Sequence, residues 1–423
     1  MSDIVKKTDD FLRAVDMHPQ QTDIAETVVN IMSEMERGLR GEASSLGMIP
    51  AYVSPSVSPV EDEPIIVADV GGTNLRVGLC CFRDGKPVLS DIQKGPIPGS
   101  RCEITAETFF DEIAEKILPY TDKSSRIGFC FSYPAVIFPD RDGSVIRFNK
   151  ELQIKGAKGA VIGRTLRSKL SQKGACKDFS FTLLNDTTAG LLGGVAELGL
   201  HSDGGLAGVV LGTGSNSCYF ERGEKIKKLE NAGDMIVNCE SGCFSKAFRG
   251  RADIMTDIAS ELPGDHLLEK MIGGAYLGTV ISNTAVLAAE EGLLSDRFSS
   301  DCRIFDLPEL DEYIRGGKSC ISAMCEHDDN SVLCRIIDAA FERAARLVCA
   351  NIAALCLHTD GGRTEDKPFC VVAEGSTFYK SLLFYDKLMA NIDEYVRNRL
   401  GRYVVFHRAE NSTLTGAALS VFT

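Results

Sequence analysis

Twice along this chain a run of β-forming residues meets a glycine-rich turn and resumes beyond it. In IIVADVGGTNLRVGLCCF, residues 65–82, two such runs flank Gly71-Gly72-Thr73-Asn74. In GLAGVVLGTGSNSCYFERG, residues 205–223, the same strand, tight turn, strand grammar surrounds Gly212-Thr213-Gly214. A unit that recurs at so long an interval points to duplicated α/β units rather than to a short-period solenoid. Facing each other across a cleft, the two turns would let backbone N–H groups grip one polyphosphate from both sides. Two unrelated hairpins are the alternative that this pattern alone leaves open.

The stretches between fit an α/β chain. Residues 22–41 carry Ile24, Val28, Ile31, Met32, Met35 and Leu39 at helical spacing, with Thr22 or Asp23 to cap the start. The Pro- and Ser-bearing run 47–64 reads as an extended connector. Residues 105–118 read as helix and RIGFCFSYPAVIF, residues 126–138, as strand with a Pro break; 265–296 and 330–358 are long amphipathic segments, and FCVVAEG is a late strand. A chain of 423 residues is long enough for two or three domains. Its net charge of −13 argues against nucleic acid as a partner. No run of about twenty apolar residues exists, so no membrane span is expected, and the opening MSDIVKKTDDF does not read as a secretion signal, which points to a cytoplasmic protein. The 15 cysteines are spread along the chain and often sit in apolar runs, as buried reduced thiols do. Cys239 and Cys243 have no second Cys or His pair at ligand spacing, so no zinc site is expected.

Two familiar phosphate loops are absent. RGGKSC at 315–320 ends like a Walker A loop, but Glu312 stands where its first glycine must be, and no G-x-G-x-x-G follows a strand. Asp69, at the end of an apolar strand, is costly to bury unless it pairs or meets a cation. It could hold Mg²⁺ through water, since that ion keeps most of its hydration shell, or form part of a hairpin with an Asx-type bond. In FTLLNDTTAGLLGG, residues 181–194, a strand runs into a helix with Asp or Thr as N-cap. Within that window Asp186 reads as a cap.

The motifs together change that reading. MSEMERGL with LGMIPAYV, VADVGGTNLRV, FCFSYP followed by GSVIRFNKEL, LLNDTTAGLL, VVLGTGSNSCYFE, IVNCESGCF, HLLEKMIGGAYLG, VVAEGSTFYK and TGAALSVF occur in one order almost from end to end. In this the chain resembles the hexokinase family, within the superfamily of sugar kinases, Hsp70 and actin. The resemblance implies an α/β fold, the two-domain actin-like ATPase (ribonuclease H-like) type with a cleft between the domains. One domain would hold 65–195, completed by a C-terminal helix at about 412–423; the other would hold 1–64 and 196–411. It implies transfer of the γ-phosphoryl group of ATP, with Mg²⁺, to the 6-hydroxyl of a hexose, glucose first and also fructose or mannose, by a monomer or homodimer. A sugar sensor with little turnover is the alternative.

Carried over by position, the resemblance makes Asp186 the general base and Lys150 a second catalytic group. Ser132, Asn149, Lys150, Asn185, Asn216, Glu240 and Glu269 would bind sugar. Asp69, Gly71, Gly72, Thr73, Asn74 and Arg76 would form the first phosphate loop, with Asp69 the metal residue through water. Gly212, Thr213 and Gly214 would form the second loop, and Gly375 and Ser376 the nucleotide-base edge. With Thr187 or Thr188 as cap, Asp186 would sit at a helix N-terminus that favours its ionised form. Four segments depart from the family's usual pattern. Phe148-Asn149-Lys150-Glu151 replaces Trp-Thr-Lys-Gly, Ser241-Gly242 replaces Trp-Gly, Glu374 stands for Asp, and Thr415 for a basic residue.

Overall fold

A computed structural model describes residues 3–72, 74–148, 152–299 and 303–423 of the chain. Its strands are β1 (Ile49–Pro50), β2 (Ile65–Gly71), β3 (Asn74–Arg83), β4 (Lys86–Pro96), β5 (Arg126–Phe131), β6 (Ser180–Leu184), β7 (Leu206–Leu211), β8 (Ser215–Glu221), β9 (Met235–Asn238), β10 (Phe369–Glu374) and β11 (Val404–His407). The helices that matter here are α1 (Ile24–Leu39), α2 (Ala106–Ile117), α3 (Ile162–Gln172), α4 (Asp186–Leu198), α5 (Leu267–Ile272), α6 (Gly274–Glu290), α7 (Asp329–His358), α8 (Ser376–Lys380) and α9 (Ser412–Ser420).

β2, β3 and β4 form an antiparallel meander, and β5 then β6 add to β2 in parallel, in the order β6-β5-β2-β3-β4. The second sheet repeats that plan. β7, β8 and β9 form the meander, β10 then β11 add to β7 in parallel, and β1 closes the far edge. The same five-strand plan built twice, each from its own glycine-tipped hairpin, excludes two unrelated turns. Parallel addition requires crossovers, which α2, α3 and α7 help to supply.

β2 reads as an unbroken apolar run because both of its faces are covered. Ile66, Ala68 and Val70 enter a core with Phe109, Phe110, Ile113 and Leu166 of α2 and α3. Ile65 and Val67 turn instead to a second core that holds Leu191 and Leu192 of α4, Leu414 and Ala418 of α9, and Ile236 and Val372 of the other sheet. α4 and α9 thus lie between the two sheets. They meet backbone to backbone: a Cβ on Gly193 would stand 2.1 Å from Ser412 O, and one on Gly416 would stand 1.9 Å from Ala189 O. A third core packs α1, α6 and α7 against the six-stranded sheet. In α1 the expected apolar positions Val28, Ile31, Met35 and Leu39 are buried, and Asp23 is the cap, accepting from Glu26 N at 3.0 Å.

The cysteines of the described residues are free. Cys80, Cys130, Cys218, Cys239, Cys349 and Cys356 are buried as expected, but Cys102, Cys176 and Cys320 are exposed, since each sits in a loop or at a short helix start. Among the described residues no helix is long and apolar enough to cross a membrane.

Candidate active site

The face of β2 that carries Ile65 and Val67 also carries Asp69, so its carboxylate points at the α4–α9 layer. It is almost fully buried. Asp69 Oδ2 accepts from Arg76 Nε at 3.0 Å and Nη2 at 2.5 Å, and from Thr413 Oγ1 at 3.1 Å. Pairing with a fixed guanidinium fork is what makes a strand-end carboxylate tolerable there. One residue earlier on α9, Ser412 donates to Glu374 Oε1 at the end of β10. Adjacent residues of one helix start therefore hold a carboxylate from each sheet.

α4 begins where β6 ends. Asn185, in extended backbone, is its N-cap, with its side chain accepting from Thr187 N at 2.9 Å. This corrects the expectation that Asp186 or a following threonine caps the helix: Asn185 does, and Asp186 is the first helical residue. Asp186 Oδ1 accepts from Thr187 N at 2.7 Å and Oγ1 at 3.2 Å, and Ser132 also bonds the carboxylate. Ser132 is tied to the first loop, its N–H donating to Val70 O at 3.0 Å and its Oγ lying 2.3 Å from where a Cβ on Gly71 would stand. Burial raises the Asp186 pKa and the charge of Asp69 adds to the rise, against the hydrogen bonds from Thr187 and Ser132. The helix N-terminus was expected to favour the ionised form. Burial among carboxylates outweighs it.

Across from Asp186 a polar chain runs along the second sheet. Asn216 Nδ2 donates to Asn238 Oδ1 at 2.9 Å, and Asn238 Nδ2 donates to Glu240 Oε1 at 2.7 Å. Asn216 Oδ1 accepts from the N–H groups of Ser217 and Ser241. Glu240 itself has left-handed backbone, φ 53° and ψ 48°, which a non-glycine residue adopts only when its surroundings impose it. Burial raises its pKa, with Asn238 opposing and Asp186 and Glu269 reinforcing. Glu269, in the first turn of α5, accepts from Ser215 N at 2.9 Å, and a Cβ on Gly214 would stand 2.6 Å from its Oε2.

The second glycine turn is locked from behind. Gly212 O accepts from Gly274 N at 2.8 Å and Thr377 Oγ1 at 2.9 Å, and Thr213 O accepts from Ala275 N at 3.0 Å. Gly375 lies against it with φ 114°, and a Cβ there would meet Leu211 O at 2.1 Å, so only glycine fits. Beside Gly375 opens a cavity of about 260 Å³, lined by Arg76, Glu374, Ser376, Lys380, Arg408, Glu410 and Thr413 among others. Arg408 stacks over the Tyr379 ring at 4.8 Å. Three cations, Arg76, Lys380 and Arg408, outnumber the two carboxylates Glu374 and Glu410 around it, and the hydroxyls of Ser376, Tyr379, Ser412 and Thr413 add donors, which suits an anionic polyphosphate.

Of the residues singled out from sequence, Asp69, Gly71, Arg76, Ser132, Asn185 and Asp186 come together on one side. Asn216, Glu240 and Glu269 come together on the other, with Gly212, Thr213, Gly214, Gly375 and Ser376 beside the cavity. Gly72 and Asn74 flank the first turn, where Tyr133 Oη donates to Gly72 O at 3.4 Å. Thr73, Asn149 and Lys150 lie outside the described residues. Phe148 packs on Phe109 and Tyr133, ring centroids 5.2 and 5.0 Å away. Sequence reading missed Asn238, Thr413, Arg408 and Tyr379. Asn238 lies two residues before Glu240, and Tyr379 three after Ser376, in motifs already noted; Thr413 and Arg408 declare themselves only by position. Thr415, where a basic residue is usual, donates to Glu197 Oε1 at 2.8 Å, which also accepts from Asn411 N.

Two family models described as hexokinase match residues 7–195 and 206–423. Hexokinase-1 of Schizosaccharomyces pombe is 28% identical over 92% of this chain and 85% of its own length. Hexokinase-3 of Arabidopsis thaliana is 28% identical over 93% and 88%. A solved hexokinase from Schistosoma mansoni, complexed with glucose, matches with a TM-score of 0.78 at 22% identity, over 100% of both chains. The two repeated sheets with helices between them are the two-domain actin-like sugar kinase fold.

Proposed function

The chain belongs to the hexokinase family, an ATP-dependent phosphotransferase acting on hexoses, and from that premise we propose that it transfers the γ-phosphoryl group of MgATP to a hexose 6-hydroxyl, glucose first. The observation that carries the proposal is Asp186. Its carboxylate sits at the start of α4, gripped on one side by Thr187 and Ser132, half-buried, and close enough to Glu240 that its charge helps raise the Glu240 pKa. A hexose hydroxyl is a poor nucleophile, and a positioned carboxylate of raised pKa is a better proton acceptor than an ordinary one. In this reading Asp186 takes the hydroxyl proton while Asn185, Asn216, Glu240 and Glu269 hold the other hydroxyls. Ser132, Asn149 and Lys150 complete the sugar side. Mutual pairing of Asn216, Asn238 and Glu240 fixes their donors and acceptors before sugar arrives, which lowers the ordering cost of binding.

The nucleotide would occupy the cavity beside Gly375 and Ser376, its phosphates meeting Gly71, Gly72, Thr73, Asn74 and Arg76 on one side and Gly212, Thr213 and Gly214 on the other. Tyr379 and Arg408 offer a flat cationic surface for the base. Asp69 has Oδ2 committed to Arg76 and Thr413, so it would reach Mg²⁺ through water, as that ion's hydration favours. Bound Mg²⁺ supplies charge neutralisation on the transferring phosphoryl group. The domain division would fall at 65–195 with 412–423 against 1–64 with 196–411. A sensor that binds without turnover is disfavoured by a base position whose hydrogen bonds are intact.

The test is a coupled assay with MgATP over glucose, fructose and mannose, on wild type and Asp186→Asn. Loss of roughly 10²–10⁴-fold in kcat is expected for the variant. Absence of any sugar phosphate from wild type would sink the activity, and near-normal turnover in the variant would sink the base.

A further inference from the structure

Beside the sugar-side carboxylates, three ligand-type side chains converge that the phosphoryl transfer does not use. Cys243 Sγ lies 3.5 Å from His266 Nδ1, one ligand atom from each of Cys243, Asp265 and His266 falls within 4.8 Å of the others, and Asp265 Oδ2 lies 3.8 Å from His266 Nε2. Glu269 Oε1 stands 4.0 Å from His266 Nδ1. For a tetrahedral zinc with Zn–S of about 2.3 Å and Zn–N of about 2.0 Å, the S···N edge comes to about 3.5 Å. The donor pair is therefore already at ligand spacing. His266 is held in left-handed backbone, φ 50°, with its N–H bonded to Asp265 Oδ1 at 3.0 Å, so the ring is placed by the chain. No zinc site was expected around Cys243, because its partners sit more than twenty residues further on and the fold alone brings them in.

We propose that Cys243, Asp265 and His266, with Glu269 at hand as a fourth ligand, form an inhibitory site for a thiophilic divalent metal of the Zn²⁺ type, whose occupancy opposes hexose binding. Two features bear on this, the first setting the metal against the sugar and the second setting a side chain of the protein against the metal. Glu269 and Glu240 flank the site, and a dication there competes for carboxylates that the sugar needs. The second is Arg147, from the segment leading to Phe148, whose Nη2 lies 3.1 Å from His266 Nε2 and 3.5 Å from Asp265 Oδ2. A guanidinium only donates, so His266 Nε2 accepts from it and Nδ1 carries the proton. A metal on Nδ1 requires the opposite tautomer, whose Nε2–H would face the Arg147 N–H groups. Metal and the Arg147 clasp therefore exclude each other. Binding replaces the thiol proton by the metal, Cys–SH plus M²⁺ giving Cys–S–M⁺ plus H⁺, the proton passing to solvent.

The inhibitory half rests on the hexokinase reading; the binding half does not. Zn²⁺ binding is measured by calorimetry on nucleotide-free protein, and Cd²⁺ serves as an optical probe through its thiolate charge-transfer band. Glucose phosphorylation is then followed with Zn²⁺ against a chelator reference for each variant. Wild type should bind one Zn²⁺ more than Cys243→Ser or His266→Asn, and Zn²⁺ should raise the glucose KM. Loss of a ligand should weaken this by at least the roughly 10–100-fold seen when a mere supporting partner is lost. Arg147→Ala should strengthen it. Equal Zn²⁺ affinity in wild type and both ligand variants, or a Cd²⁺ band unchanged by Cys243→Ser, would overturn the site. Binding that leaves the glucose KM untouched would overturn its inhibitory role. Failure to phosphorylate any hexose in chelator is a separate result, against the activity alone.

Discussion

Replacing Asn238 by alanine isolates the residue that sequence reading missed and the geometry makes central. Asn238 is 4% exposed and makes three bonds: it accepts from Asn216 Nδ2 at 2.9 Å and from Glu240 N at 3.3 Å, and it donates to Glu240 Oε1 at 2.7 Å. Truncation takes a partner from Glu240 Oε1, from Asn216 Nδ2 and from the Glu240 backbone N–H in a largely buried setting. Each such loss costs about 1–3 kcal/mol. If one of them falls on the sugar complex, hexose KM rises about 5–150-fold, since about 1.4 kcal/mol is a factor of ten. Asn238→Asp should be no better, because an ionised carboxylate cannot donate to Glu240 and adds a like charge beside it. The assay is steady-state kinetics with glucose varied at saturating MgATP, with ATP KM as the internal control. A glucose KM within about twofold of wild type in Asn238→Ala, below the smallest such penalty, would refute the claim that this amide orders the sugar ligands. A change confined to ATP KM would refute it too.

Three further outcomes are expected. The acid limb of kcat/KM should lie above the ordinary Asp value, because Asp186 must be ionised to accept a proton and its pKa is raised by burial. Ser132→Ala removes a bond that favours the ionised form, so the limb should move to higher pH; a shift downward in the pH profile would contradict the assignment. Gly416→Val should lower stability by about 1–3 kcal/mol or more, read as a fall in Tm, because any Cβ there meets Ala189 O at 1.9 Å; an unchanged Tm would mean the α4–α9 crossing is looser than described. Burial would raise the pKa of Glu34, but bonds from Lys246 and Ser45 outweigh it and hold it at about 2, against an ordinary 4.5. Its stabilising effect is therefore complete above pH 4.5 and is lost as pH falls toward about 2, so in thermal melts the gap between wild type and Glu34→Gln should narrow over that window.

Much of the fold was legible because it rests on local periodicities. The alternating and continuous β-runs at 65–82 and 205–221, and the helical spacing of 22–41, became the elements they describe. The order of the motifs was enough to name Asp186, Glu240 and Glu269 together. What local grammar got wrong at Asn185-Asp186 was a choice between neighbours with equally good capping side chains, which only backbone geometry decides. The ionisation of Asp186 was misjudged for a related reason. A helix terminus is a local feature, whereas desolvation in the folded interior and the charge of Asp69 are not.

The sequence by itself determined which segments pair as strands, where the two glycine turns fall, and which side chains could do acid–base and phosphate chemistry. Tertiary structure decided which further side chains join them and how they are held. Ser412 and Thr413 meet Glu374 and Asp69 only because Gly193 and Gly416 let α4 and α9 approach until backbones touch, so that one helix start reaches both sheets. Cys243 acquires Asp265 and His266 in the same way. Contacts between residues distant in sequence depend on how cores close, and no period or motif in the chain encodes that distance.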